Sequence, residues 1–436
     1  MPYHIQPFWH SIVFRLVLLS VILSLQGLLY YRATRWAKRQ FPQRRWVAIT
    51  TRGLFFVFNA SFVLLILTRP QILSVPLLFR VAGVYPFYIW FGSTFLLALF
   101  LIVTGVLELP FAIFWRIVNR IHPARKRIEH VTQAKRFVAF DASRRVFLRR
   151  GMAGISAAAF LGNTYGVIAA KEVHDITEVS FPLDDLDPAF DGFTIGLITD
   201  VHSSVFMTRA DMDEYVSLTN SLNADLLVVD GDFVTSYTEE VYPFAESFEK
   251  LHAPHGVYGV MGNHDFYVAN PDIVEREVSA CGIHLLHDDR ATITRGDAHL
   301  HVLGIDDTGS PVRAEERMST ALGTKPLIGP RILLCHRPYY LAQANAKGID
   351  LVLSGHTHGG QIVLASLGSI RVTPAALASP YISGTYHEGK TAMYVSRGVG
   401  TVGLPIRINC PPEITRITLH SRKLEHSPSS PIHSGV

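Results

Sequence analysis

At 436 residues the chain is too long for one ordinary domain, so two or more units are expected. Three scattered cysteines, Cys281, Cys335 and Cys410, have no CxxC spacing and exclude both a disulfide framework and a cysteine-rich zinc finger. The net charge of +4 hides a split: residues 1–150 hold 21 Lys and Arg against three acids, leaving 19 basic and 33 acidic residues downstream. With apolar runs in the basic part, that asymmetry points to a membrane.

Ser11–Tyr31 is nearly continuously apolar, with Arg15 near one end where it can snorkel. Gly53–Thr68 and the stretch from Tyr88 to about Trp115 are two further candidate spans. A helix needs about 20 apolar residues to cross the hydrocarbon core, so the second must borrow flanking residues. Ile72–Val84 reads as an interfacial or re-entrant piece. The loops 32–52 and 116–150 are strongly basic, whereas 69–88 carries only Arg69 and Arg80. Positive loops stay cytoplasmic, so residues 1–150 form a membrane region that starts outside and crosses three times.

Gly151–Ala170 is a fourth, mildly hydrophobic segment. If it crosses, everything after Lys171 is extracytoplasmic. It follows Ser143-Arg144-Arg145-Val146-Phe147-Leu148-Arg149, which has the form of a twin-arginine export signal, though such signals normally begin a protein. No A-x-A site follows, so no cleavage is expected.

From Phe193 onward the pattern changes. Phe193–Thr199, Leu226–Val229, Val257–Val260, His301–Ile305, Ile332–Cys335 and Leu351–Leu353 read as buried strands. Ala210–Leu222 and Pro271–Cys281 read as helices between them, giving an α/β core. Each of five strands runs into a polar cluster: Asp200-Val201-His202, Asp230-Gly231-Asp232, Gly262-Asn263-His264-Asp265, Cys335-His336-Arg337 and Gly355-His356-Thr357-His358. Ligand-type residues thus gather at one end of the sheet. Imidazole with carboxylate suits Zn, Mn or Fe, and two such ions about 3.5–4 Å apart can clamp a phosphate. In an extended segment Asp-x-His, like His-x-His, directs both side chains to one face.

These five motifs in this order resemble the calcineurin-like metallophosphoesterase superfamily over about 180–422. Gly359-Gly360-Gln361 and Asn409-Cys410-Pro411-Pro412-Glu413-Ile414 further resemble its membrane-associated bacterial branch, some members of which carry twin-arginine signals. The resemblance implies a four-layer α/β/β/α sandwich over 171–422, preceded by the helical transmembrane region. It implies two divalent metal ions: one on Asp200, His202 and His358, the other on Asn263, His336 and His356, with Asp232 as the bridge. His264 would be the general acid toward the leaving oxygen, with Asp265 orienting it, and a metal-bridging hydroxide would attack phosphorus.

The substrate expected is a phosphorylated small molecule or a lipid-linked phosphate in a bacterial inner membrane, with the catalytic domain extracytoplasmic. The acidic domain makes nucleic acid a poor substrate. Two other functions compete. One is a cytoplasm-facing pyrophosphatase on a nucleotide-linked acylated sugar, as in lipid A synthesis. The other is a non-catalytic transporter or sensor, which would need paired intramembrane charges that this sequence hardly has. Arg337 and Arg397 could reach a phosphate, although surface pairing is the commoner fate of arginine. His252, His255, His284, His287, His301 and His387 lack the motif context and are expected to pack or face water. The tail 423–436, rich in Ser, Pro and His, reads as disordered.

Overall fold

An uninterrupted apolar run such as Leu226–Val229 needs cover on both faces, and the fold supplies it. The computed structural model describes residues 12–68, 76–118, 135–172, 174–368 and 370–422. The tail from Lys423, residues 72–75 and loop residues 119–134 lie outside the described residues. One six-stranded sheet has the order β1 (Asp175–Leu183), β14 (Glu413–Ser421), β2 (Thr194–Thr199), β3 (Leu226–Asp230), β4 (Val257–Val260) and β5 (His284–Leu285). The other runs β12 (Gly384–Glu388), β13 (Thr391–Val395), β9 (Leu351–Ser354), β8 (Arg331–Leu334), β7 (Ala298–Gly304) and β6 (Asp289–Arg295). Strands β2 to β5 are mutually parallel, as are β7, β8, β9 and β13.

Side-chain alternation sorts each strand between two cores. Leu226 and Val228 of β3 meet Ile332 and Leu334 of β8 and Leu351 and Leu353 of β9 between the sheets. Leu227 and Val229 face the other way, onto the helices Arg209–Ser221, Val241–Phe248 and Pro271–Ala280 through Met212, Phe244 and Val274. Leu333 and Val352 likewise meet Ala314, Met318 and Leu341 of the helices Pro311–Leu322 and Leu341–Ala346. The result is helix, sheet, sheet, helix: the expected α/β/β/α sandwich. Strand β14 was not anticipated. It returns from the C-terminal end to lie between β1, which it pairs in parallel, and β2, which it pairs antiparallel. A ribbon of β10 (Ala365–Leu367) and β11 (Ile370–Val372) stands apart from both sheets.

The chain divides into two units, one built mainly of residues up to Tyr165 and the other from Gly166 onward. In the first, Leu16–Gln40, Arg45–Leu67 and Arg80–Phe114 are long and apolar enough to cross a membrane. The second of these belongs to a helix starting at Arg45, so it gains the flanking length that Gly53–Thr68 lacked. Trp90 packs edge-on against Phe55 and stacks on Phe58. Gln26 donates to the Thr94 hydroxyl at 2.8 Å, pairing a polar group where water is scarce. A last helix, Lys135–Glu172, contains both the twin-arginine-like stretch and the fourth hydrophobic segment.

Candidate metal centre

The strand ends deliver the ligand-type residues as expected, but the backbone geometry differs from the expectation. Asp200 and His202 do not share a face through strand alternation. Strand β2 ends at Thr199, and both residues adopt left-handed backbone, with φ of 54° and 51°. Asp232, His356 and His358 do the same, at 51°, 70° and 50°. A non-glycine residue rarely holds this conformation, and such strain gathers where surrounding structure over-determines it. Here neighbouring loops do so. The amides of Asp200 and His202 donate to the carbonyls of Gly231 and Asp232, and the Gly400 amide donates back to the Asp200 carbonyl at 2.7 Å. Two glycines permit the approach: a Cβ on Gly262 would strike Asp232, and one on Gly355 would strike Thr199 and Asp200.

The side chains then converge. Ligand atoms of Asp200, His202 and His358 lie within 4.8 Å of one another, as do those of Asp232, His336 and His356. The His202 and His358 Nε2 atoms face each other at 3.0 Å, with Asp200 Oδ1 3.3 Å from the latter and Asp232 Oδ2 3.4 Å from the former. His336 Nε2 is 3.1 Å from Asp232 Oδ2. Asp200, His202, Asp232, Asn263, His336 and His358 are all buried, and His356 is partly so.

Backbone carbonyls fix three of the rings. Nδ1 of His336 donates to the Asp230 carbonyl at 2.8 Å, and Nδ1 of His358 to the Gly400 carbonyl at 3.4 Å. Nδ1 of His264 donates to the Thr235 carbonyl at 2.7 Å. A carbonyl can only accept, so Nε2 is left as the inward-facing nitrogen, the arrangement metal-ligating histidines favour. Buried Asn263 Oδ1 has no hydrogen-bond partner among the described residues, and His336 Nε2 faces the Asp232 and Asp200 carboxylates. An unpartnered acceptor beside converging carboxylates and imidazoles is what a divalent cation would satisfy, so these residues fit metal ions.

The electrostatics agree. Burial lowers His202 well below the usual imidazole range, His356 to about 3 and His358 to about 4, keeping them neutral as ligands must be. Burial would lower His336 too, but the Asp232 carboxylate outweighs it and holds the ring well above that range. Asp232 is correspondingly depressed: burial opposes ionisation, and His336 and His264 overcome it. A cation between Asp232 and His336 would take over the role of that proton.

Other expectations come out differently. The Asp265 carboxylate is bonded to backbone rather than to the His264 ring. Its two oxygens accept from the Val234 amide at 3.1 Å and the Gly262 amide at 2.8 Å, tying together the loops that carry Asp232 and Asn263. Arg337 and Arg397 instead meet the commoner expectation of pairing, Arg337 with Asp307 and the Tyr267 hydroxyl and Arg397 with Glu413 and Asp175. His264 does approach the centre, its nitrogen within 4.8 Å of ligand atoms on His202 and Asp232.

Two further residues escaped the sequence. Asp230 is fully buried with both carboxylate oxygens unpartnered among the described residues, and burial raises it to about 8. Arg407 is 1 % exposed and gives its guanidinium to the carbonyls of Arg397, Gly398, Gly400 and Cys410, bracing the loop behind Asp200. Its signal was present: it is the one charged residue between Arg397 and Glu413. Cys410 donates its thiol to the His358 carbonyl at 3.2 Å, so the two motifs noted only as branch signatures meet behind a ligand.

Comparison with known proteins agrees with this geometry. The calcineurin-like phosphoesterase profile matches residues 193–360. A "Transmembrane protein with metallophosphoesterase domain" of Danio rerio is 30 % identical over 396 residues, covering 87 % of this chain and 81 % of the relative. The "Uncharacterized metallophosphoesterase YkuE" of Bacillus subtilis is 33 % identical over 293 residues, covering 64 % of this chain and 98 % of the relative. The chain belongs to the calcineurin-like phosphoesterases: it is a metal-dependent phosphoric ester hydrolase joined to helices of membrane-spanning length.

Proposed function

We infer that residues 171–422 hydrolyse a phosphodiester, pyrophosphate or phosphomonoester bond of an envelope or lipid-linked substrate, at a dinuclear centre. The observation that carries this is the convergence of Nε2 atoms with Asp200 and Asp232 around two adjoining clusters that share Asp232's neighbourhood. Asp200, His202 and His358 would hold one ion and Asn263, His336 and His356 the other, with Asp232 between. Divalent ions bound there supply Lewis acidity toward phosphoryl oxygens and bring the pKa of an attacking water toward neutrality.

The chain's own groups supply the rest. Thr235 holds the His264 ring by its Nδ1, which leaves Nε2 to carry a proton to the departing oxygen. Tyr339 meets His356 edge-on and Tyr267 lies beside His264, so aromatic rings flank the centre on two sides. The basic loops 32–52 and 116–150, with the twin-arginine-like stretch, support an extracytoplasmic domain at a bacterial inner membrane. The surplus of acids after residue 150 supports a substrate other than nucleic acid.

Metal analysis of the purified full chain, paired with hydrolysis of a generic diester, a monoester and a nucleotide-sugar, tests the activity. Two equivalents of metal with turnover of the diester or monoester is the expected result; a fully loaded protein inert toward all three contradicts it. Reaction of Glu178→Cys with an impermeant thiol reagent in intact cells tests the orientation, since Glu178 is exposed at the start of the domain.

A further inference from the structure

The chain leaves the ligand-bearing turn at Gly360 and returns to it at Thr373, whose hydroxyl donates to the Gly360 carbonyl at 2.9 Å. Between them Val363 is still buried, but Leu364–Leu367 are exposed, as are Ile370 and Val372. Strands β10 and β11 pair Ala365 with Val372 and Leu367 with Ile370, which puts these four on one face of a two-stranded ribbon. Leu367 is 69 % exposed and Ile370 66 %, and Leu377 in the next turn is 94 % exposed. An isolated two-stranded ribbon is marginal in water, and a contiguous exposed apolar patch marks a surface that is covered in use.

Two observations identify the cover. From Gln361 to Tyr386 the sequence carries Arg371 as its single Lys, Arg, Asp or Glu, although acids outnumber bases after residue 150. A surface with one cation and no acid has little charge to desolvate at a lipid interface and none that anionic headgroups repel. The ribbon's base also adjoins the place where the chain enters this unit. Gly166 accepts from the Arg407 amide at 3.0 Å, while the Ile408 amide donates to the Gln361 carbonyl and the Val363 amide to the Ile408 carbonyl, both at 2.9 Å. Gly166, where the chain enters the domain, is thus held by the same segment, Arg407–Ile408, that pairs with the base of the ribbon.

We propose that the Leu364–Leu377 ribbon and turn insert their aliphatic side chains into the lipid bilayer, holding the turn that carries His358 near its surface. The inference is independent of the reaction catalysed, and its test reads depth rather than activity. In a Cys281→Ser background, with Cys335 and Cys410 buried, an environment-sensitive fluorophore is attached to Leu367→Cys, Ile370→Cys or Leu377→Cys. Glu316→Cys, exposed on the helix Pro311–Leu322, is the reference position. The full chain is reconstituted in phosphatidylcholine–phosphatidylglycerol vesicles with iodide on both sides or with nitroxide-bearing lipid. The expected result is several-fold stronger quenching by the lipid nitroxide at the ribbon than at Glu316, with iodide showing the reverse order. Iodide quenching at the ribbon equal to that at Glu316 would mean it lies in water. Shielding from both quenchers would mean that protein covers it. Either outcome overturns the proposal.

Discussion

The His264 ring is held at Nδ1 by the Thr235 carbonyl, 2.7 Å away, so the group assigned as acid is oriented by backbone rather than by a carboxylate. His264→Ala should therefore reduce turnover by about 10²–10⁴-fold, the usual worth of general acid catalysis, while metal content stays at two equivalents. Loss of metal in that variant would make His264 a ligand, which its proximity to His202 and Asp232 makes the sharp alternative.

Asp232 lies against both clusters, through His202 on one side and His336 on the other. Asp232→Asn should lower occupancy of both ions, whereas His356→Ala should lower only one. Elemental analysis after dialysis distinguishes the two patterns, and equal losses would remove Asp232 from the bridging position.

Asp265 takes two amides from two different loops in a fully buried setting. Asp265→Ala strands both amides, and each buried unsatisfied donor costs about 1–3 kcal/mol, so a loss of about 2–6 kcal/mol is expected in urea unfolding. Metal affinity should fall with it because the loops carrying Asp232 and Asn263 come apart. A variant of native stability with only an altered pH–rate profile would restore the role of orienting His264.

Arg407 places a cation among carbonyls with full burial. Arg407→Met should cost on the order of 3–5 kcal/mol, because several acceptors lose their donor at once. Arg407→Lys should recover little, since an ammonium lacks the planar fork. Full stability in Arg407→Lys would show that charge alone suffices there.

His287 offers a pH effect away from the metal centre. Its hydrogen bond to Asp306 raises it above the usual imidazole value against the opposing effect of burial, with Glu275 and Asp288 also facing it. The protonated form is favoured in the folded chain. Its contribution is fully present below the unfolded-state pKa and disappears as pH rises through the raised folded value. The ring is 35 % exposed, so the effect should stay below about 1 kcal/mol. His287→Gln should flatten that part of the stability–pH curve; an unchanged curve would remove His287 as its source.

What could be read in the sequence follows from burial. Interior parallel strands such as β3 and β9 are covered on both faces, so they appear as unbroken apolar runs, and the residues that follow them reveal a site by type and order. The left-handed backbone at Asp200 and His358 leaves no such mark, because nothing in composition distinguishes a strained aspartate from an extended one. Strand β14 depends on pairing with β2 across more than two hundred residues, which no local pattern encodes. Asp265 was assigned by adjacency to His264, yet three-residue spacing from Gly262 let its carboxylate close back on the amide at the helix start instead.

Five ligand-type residues at positive φ have an evolutionary corollary. Exchange of any one of them for glycine would remove a ligand-type side chain while relieving a conformational cost of about 1 kcal/mol or more at that position. A lineage that no longer needed hydrolysis could lose its ligands and keep a sound, even sturdier, sandwich. Inactive descendants of this fold should therefore persist as folded scaffolds open to new binding roles rather than vanish by misfolding.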